Sequence, residues 1–543
     1  MKKLLIGLAI AFCAMGAAQA KNYYFHPENG DDSNNGTSIT SPFKSLKKLK
    51  ALNLNPGDSV LLAGGFTFTG ALILQNIHGT AQKRIVISSY PINSKKELSE
   101  IDAKGFANAI LLEDCSFIEV RDLSVTANGG NKEIDGNMID MRCGVLVTTT
   151  KSGLYAGISL TGLKVKDIFY EDPGFVRGGE DVKTANGTQK YGWGIRFLNK
   201  ADSAYFEDIR IEGCEVSNVS HTGINLVGKK GSIQNIKLLN NKVINSGGPG
   251  MQMSGVKTGW ISGNYINGSG SKNDSRNWSR GSGLWTWSTS DVLIEKNYFL
   301  NANGPGDSAG CHIDFNCTNV IIQYNLSANN AGGFCEILGN NHNCAYRYNI
   351  SVNDGYRTKG QDGAFQEGKT FWLSGYVGNK VKPQGPFNTY FYNNTIYTKK
   401  DISVKVAVAT SAQGILMANN IFYIEGESKL VAGDQQKFEK NAPVNIERCF
   451  FENNLFLKAD NWPKAAIIQD DKPIIGDAQF KNKGGLKLED YIPTNVSLIK
   501  NKGIEINKIE GDQIGLLPGL KVEYDILGNK IIGKPDLGAI AIK

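Results

Sequence analysis

Residues 250–337 read GMQMSGVKTGWISGNYINGSGSKNDSRNWSRGSGLWTWSTSDVLIEKNYFLNANGPGDSAGCHIDFNCTNVIIQYNLSANNAGGFCEI. Two signatures alternate here. A Gly leads into a short strand at Gly250-Met251-Gln252-Met253, Gly283-Leu284-Trp285-Thr286-Trp287, Gly310-Cys311-His312-Ile313-Asp314-Phe315 and Gly332-Gly333-Phe334-Cys335-Glu336-Ile337. Out of phase with it, an Asn leads another short strand at Asn264, Asn297 and Asn325. Outward from this stretch the Gly series begins at Gly194 and Gly223. The Asn series runs from Asn241 through Asn349, Asn394 and Asn420 to Asn454, with most spacings between 23 and 34 residues and one of 45. A repeat this short cannot bury its own apolar face and must stack on its neighbours. Short strands between Gly/Asn turns stack as a parallel β-helix, in which Asn tolerates the left-handed backbone of tight corners and can hydrogen-bond coil to coil. A β-propeller, with its repeat of about 40 to 50 residues, fits the period poorly.

The ends of such a solenoid need covers, because an open coil exposes backbone groups and apolar interior. The segment Pro42 to Leu49 places Phe43, Leu46 and Leu49 on one helical face, and Pro56-Gly57-Asp58 leads into the strand that starts at Ser59. The expected organisation is therefore a leader over 1–20, an N-terminal cap with a short helix over 21–58, and the β-helix with its closing coils over 59–543. The leader has Lys2 and Lys3, an apolar run from Leu4 to Met15 and Ala18-Gln19-Ala20 as an A-x-A site, so cleavage is expected after Ala20 and the protein is expected to be secreted or periplasmic. No later stretch is long and apolar enough to span a membrane.

The formal net charge of +7 comes from scattered residues, two of them in the leader. It suits an acidic glycan without requiring one, and no nucleic-acid signature accompanies it. After the leader's Cys13, eight cysteines remain. Cys115, Cys214, Cys311 and Cys344 lie in or near apolar strands, where a thiol behaves as a small buried hydrophobe, so unpaired interior cysteines are expected. The five histidines show no metal-ligand spacing, and neither a metal site nor a cofactor is expected.

Asn29-Gly30-Asp31-Asp32 through Ser41-Pro42-Phe43, the Pro56-Gly57-Asp58 step and Pro535-Asp536-Leu537-Gly538 resemble the framing motifs of the right-handed parallel β-helix superfamily of secreted carbohydrate-active enzymes, the pectate-lyase-like group. The resemblance implies an all-β, right-handed parallel β-helix. It does not fix the chemistry, since that superfamily holds lyases, glycosidases, esterases and phage tail-spikes. The Asn-Thr-Asp, Asp-Asp and Gly-His-Gly set of its polygalacturonase-type members is missing. The nearest acidic group for a calcium-dependent lyase, Glu180-Asp181 with Arg177, sits in a Gly-rich insertion and forms no ladder.

Alternation along the Gly-led strands assigns the candidates for chemistry. With Ile195, Phe197, Ile224, Leu226, Met251, Met253, Ile313, Phe315 and Ile337 inside, His312, Asp314 and Glu336 point outward. Aligning the strands on Gly310 and Gly332 sets Asp314 beside Glu336 on adjacent coils. Carboxyls at that spacing of about 5 Å suit a retaining glycosidase, with Asp314 as nucleophile and Glu336 as acid/base. The pair is similar to that of a β-helical β-xylosidase family with an Asp and a Glu on successive coils. Arg196, Asn225 and Gln252 continue the face as hydrogen-bonding groups for sugar hydroxyls, and His312 is placed to orient a carboxylate or touch substrate. Trp278, Trp285 and Trp287, with Arg280, offer rings and charge to a sugar. The expected function is a glycoside hydrolase acting on a polysaccharide or oligosaccharide. The alternatives are a polysaccharide lyase, which would add Ca²⁺, and a non-catalytic carbohydrate-binding β-helix.

Overall fold

The computed structural model describes residues 19–92, 96–130, 141–184, 190–433 and 446–543; most of the leader, including Cys13, lies outside them. Three parallel sheets run the length of the molecule, and most coils contribute one strand to each. The first sheet starts at Asn22–Phe25 and ends at Cys449–Glu452; the third starts at Thr67–Thr69 and ends at Ile474–Ile475. The second carries the Gly-led strands, from Leu72–Gln75 to Ser428–Leu430. The cap expected to be helical is a 3-10 turn at Leu46–Ala51, which buries Leu46 and Leu49 over Phe43 and the first coils.

The two sequence signatures have separate physical causes. Asn241, Asn264, Asn297, Asn325, Asn349, Asn394, Asn420 and Asn454 form one buried ladder. From Asn264 onward, each side-chain oxygen accepts from both the backbone N–H and the side-chain amide of the Asn one coil earlier, at 2.8–3.1 Å, and the Asn241 oxygen accepts from the N–H of Cys214. Asp470 ends the ladder by accepting both bonds from Asn454. The Gly-led corners exist because the turn brings the second sheet against the third: a Cβ on Gly223 would run into Val243, and one on Gly250 into Ile266.

Asn325→Ala would leave the Asn297 donors unpaired in a dry interior. We expect it to lower stability by about 2–4 kcal/mol in denaturant melts, more than an exposed Asn→Ala change.

The expected interior residues Ile195, Phe197, Ile224, Leu226, Met251, Met253, Ile313 and Ile337 are all buried and stacked. Phe315 is the exception. The strand Cys311–Ile313 ends two residues before it, alternation stops, and Phe315 packs outside the core against Trp287 and Tyr376. The eight cysteines of the described residues are free; seven are buried and Cys449 is half-buried. Burial pushes thiols such as Cys115 and Cys214 up to about 12.

The last segment doubles back along the outside of the first sheet. Asn419 bonds the backbone of Ile504, Asn343 and Tyr390 hold Asp512, Asn319 accepts from the N–H of Leu517, and Tyr324 donates to the carbonyl of Tyr524. The chain then returns, and Asn393 donates to the carbonyl of Asp536 while Gly538 donates to that of Asn419. Among the described residues no helix is long and apolar enough to cross a membrane.

Candidate active site

The outward residues of the second sheet stack into two rows. Strand pairing sets Arg196 beside Asn225, then Gln252, Trp285 and His312 on successive coils. The next coil pairs Ile313 with Ile337, which brings Glu336 opposite His312 and leaves Asp314 level with Leu338. The alignment on Gly310 and Gly332 is thus corrected by two residues: stacking Ile313 on Ile337 and Cys311 over Cys335 outweighs matching the glycines. A two-residue slip keeps both carboxylates on the outer face and changes their neighbours. Asp314 and Glu336 are diagonal neighbours, with Cα atoms about 8 Å apart from the strand spacing and rise.

Both line one cavity of about 450 Å³, together with Gln252, Trp285, Trp287, His312 and Arg280. Trp285 lies parallel to His312 at 6.0 Å, and His312 shares a 3.0 Å hydrogen bond with Ser282. Trp287, Phe315 and Tyr376 make an edge-to-face aromatic wall, with ring centroids 5.9 and 5.7 Å apart.

Three expected binding residues do not reach the cavity. Trp278 is buried, stacks on His221 at 4.5 Å and donates its ring N–H to the carbonyl of Asp181, so it anchors an excursion. Arg196 lies flat on Trp193 at 3.8 Å and contacts the Met141 sulfur. Asn225 is wholly buried and donates to Gln252 at 2.9 Å. The excursions of neighbouring coils cover Arg196 and Asn225 at this end of the row, while in the other row the cavity reaches Val227 on the coil of Asn225. Glu180, Asp181 and Arg177 belong to the same covering layer, where Arg177 pairs with Glu171 and Asp181.

Sequence reasoning missed Asp307, Arg357, Lys369, Trp372 and Tyr376, which also line the cavity. Lys369 places its ammonium 4.0 Å over the ring of Trp372. Asp307 lies in the Gly304-Pro305-Gly306-Asp307-Ser308 turn just before the strand, where no periodicity points at a side chain; its one visible signal was a carboxylate seven residues before Asp314. Arg280 grips it with two bonds, Nε to Oδ2 at 2.8 Å and Nη2 to Oδ1 at 3.1 Å.

These surroundings push the two aspartates in opposite directions. Burial raises Asp314 to about 7, with the charges of Glu336 and Asp307 acting the same way against His312 and the N–H of Phe315. Burial alone would raise Asp307 too, but the Arg280 guanidinium, aided by His312 and Arg357, holds it below the usual carboxylate range. Below about pH 7 the cavity thus holds a protonated Asp314 together with an ionised Asp307.

The chain matches the model of the right-handed β-helix region over residues 193–381. The chain is a right-handed parallel β-helix. A curated relative is a lacto-N-biosidase of Bifidobacterium longum subsp. longum, 24% identical over 98% of this chain; the β-helix protein spans only 38% of that relative's length. Among solved structures, the GH136 lacto-N-biosidase of Eubacterium ramulus aligns with 76% of this chain and 68% of its own, at 21% identity and a TM-score of 0.52. XylC, solved with xylose, aligns with 96% of this chain and 98% of its own, at 11% identity and a TM-score of 0.50. Identities this low carry the β-helix fold and leave the chemistry to the site. Among the described residues of the β-helix, no group of three or more His, Cys, Asp or Glu is gathered as for a metal ion.

Proposed function

We propose that this protein is an exported glycoside hydrolase that removes a short terminal unit from an oligosaccharide, using the carboxyls of Asp314 and Asp307. The carrying observation is the opposed pair, one raised to about 7 and one held low, in a single aromatic-lined cavity. Cleavage of a glycosidic bond by paired carboxyls needs one protonated and one ionised group at the same pH. The covering of Arg196 and Asn225 supports terminal rather than internal cutting, because it shortens the row of hydrogen-bonding groups open to a sugar chain. Trp285 and Trp287 offer ring faces to the sugar, and Gln252 and His312 offer hydrogen bonds. The lacto-N-biosidase relatives support the same reaction class.

Glu336 supports a second pairing, with Asp314 as nucleophile and Glu336 as acid/base, because it is the diagonal neighbour of Asp314 and lines the same cavity. The two pairings differ in which side chain is indispensable: Asp307→Asn is expected to remove turnover, whereas Glu336→Gln is expected to raise KM more than it lowers kcat. The reverse result transfers the role to Glu336.

The test is a screen of oligosaccharides that reads new reducing ends and ultraviolet absorbance together. New reducing ends without absorbance are expected. An absorbing unsaturated product would establish the lyase reading, and retention of glycan without cleavage the binding one.

Because the pair must carry one proton, the profile of kcat/KM against pH is expected to be bell-shaped. Its alkaline limb should lie near 7, where Asp314 loses its proton, and its acid limb below the usual carboxylate range, where Asp307 gains one. The profile is the same whichever of the two holds the proton in the bound state, since coupled groups titrate as a pair.

A further inference from the structure

Arg280 does more than balance a charge. Its Nη1 donates to three successive carbonyls, of Val182, Lys183 and Thr184, at 3.3, 2.9 and 3.1 Å. These carbonyls end the short helix Gly179–Lys183, and the last carbonyls of a helix have no partner within it. One guanidinium therefore satisfies the end of a distant excursion with one nitrogen and the Asp307 carboxylate with the other two. The same side chain packs 5.3 Å from the Phe365 ring, on a third excursion, and is almost wholly buried. A lysine ammonium cannot reproduce this planar fork.

We propose that Arg280 is a positioning residue that couples docking of the segment Gly179–Thr184 to the orientation and charge of Asp307. The proposal rests on the reading of Asp307 as one of the reacting pair. It makes the covering segment part of the site's tuning: when 179–184 is seated, the fork is fixed and Asp307 is held as an anion. Besides Arg280, the charged or titratable groups facing Asp307 are His312 and Arg357, which favour its ionised form, and Asp314, to which it is coupled. The Trp278 bond to the carbonyl of Asp181 anchors the same segment without touching Asp307, with its ring 5.8 Å from the Arg280 guanidinium, and so offers a second way to loosen the segment.

The experiment compares Arg280→Lys, Arg280→Met and Trp278→Phe in the full chain. Both Arg280 variants are expected to move the acid limb of kcat/KM upward by about one pH unit or more, since loss of the fork lets Asp307 protonate sooner. Both are also expected to speed amide hydrogen exchange across 179–184 by about tenfold or more. Trp278→Phe loosens the same segment from outside the Arg280–Asp307 pair, so it should speed exchange there and move the acid limb upward by a smaller amount; faster exchange with an unmoved limb overturns the coupling. An Arg280→Met protein with wild-type exchange at 179–184, or with an unmoved acid limb, overturns the proposal; if that variant does not fold, Arg280→Lys decides on the same two readouts. Should the wild-type protein cleave no glycan, the functional reading falls by itself. The coupling is then read from exchange at 179–184 in Asp307→Asn, Arg280→Met and the double variant: additive effects overturn it and non-additive effects support it.

Discussion

Asp314→Asn is expected to lower kcat by about 10³-fold or more while the protein keeps its fold, because the amide can neither donate the proton nor carry the charge that cleavage requires. Its stability should change in a direction that separates a site residue from a surface one. A carboxyl raised in the folded state favours the fold where it is protonated, below the unfolded value near 4, and loses that contribution as pH rises through about 7. Removing it should therefore raise the melting temperature at pH 8, and the gain should shrink toward nothing near pH 4. A scan of melting temperature against pH for both proteins checks this. Equal melting curves at pH 8 would mean that Asp314 is solvated and ordinary, and retained turnover would remove it from the reaction.

Ile313→Asp is expected to unfold the protein, although it lies one residue away. Ile313 is fully buried between Thr286 and Ile337 of the adjoining coils. The change removes an aliphatic contact worth about 2–5 kcal/mol and adds a carboxyl that has no partner in the interior. That sum is comparable to the whole stability of a typical domain, about 5–15 kcal/mol. Ile313→Val, which costs about 0.5–1.5 kcal/mol, is the control for volume alone. Circular dichroism and yield of folded protein distinguish the two; a folded Ile313→Asp protein with a wild-type melt would contradict the inward placement of Ile313.

These neighbouring residues also show what was legible in the sequence. The face of each Gly-led strand could be read because its period of two is local, and Ile313 and Asp314 fall on the sides expected. The coil-to-coil register could not, because it depends on how interiors stack: Ile313 over Ile337 is a packing choice that the Gly-Gly at 332–333 disguises. Arg196 and Asn225 sit at positions that are outward by the same rule, yet excursions from other coils cover them; Trp278 lies in such an excursion, and a loop's resting place is not encoded in strand periodicity. Asp307 was missed for the opposite reason. It reaches the cavity from a turn, and only the tertiary pairing with Arg280 reveals it.

The doubled-back last segment alters how the molecule comes apart. A simple solenoid obeys nearest-neighbour energetics, in which terminal coils peel away one at a time and the middle is indifferent to the ends. Here the stretch that bonds Asn419, Asn343, Asn319 and Tyr324 in turn, then returns to Asn393 and Asn419, spans the outer edge of several coils at once. It works like a clasp on a zipper, since no coil under it can open without releasing contacts shared with the others. The coils so fastened include those that carry Asp314 and Glu336, so the floor of the cavity belongs to a block that should melt as one unit, while coils nearer the N-terminal cap remain free to fray singly.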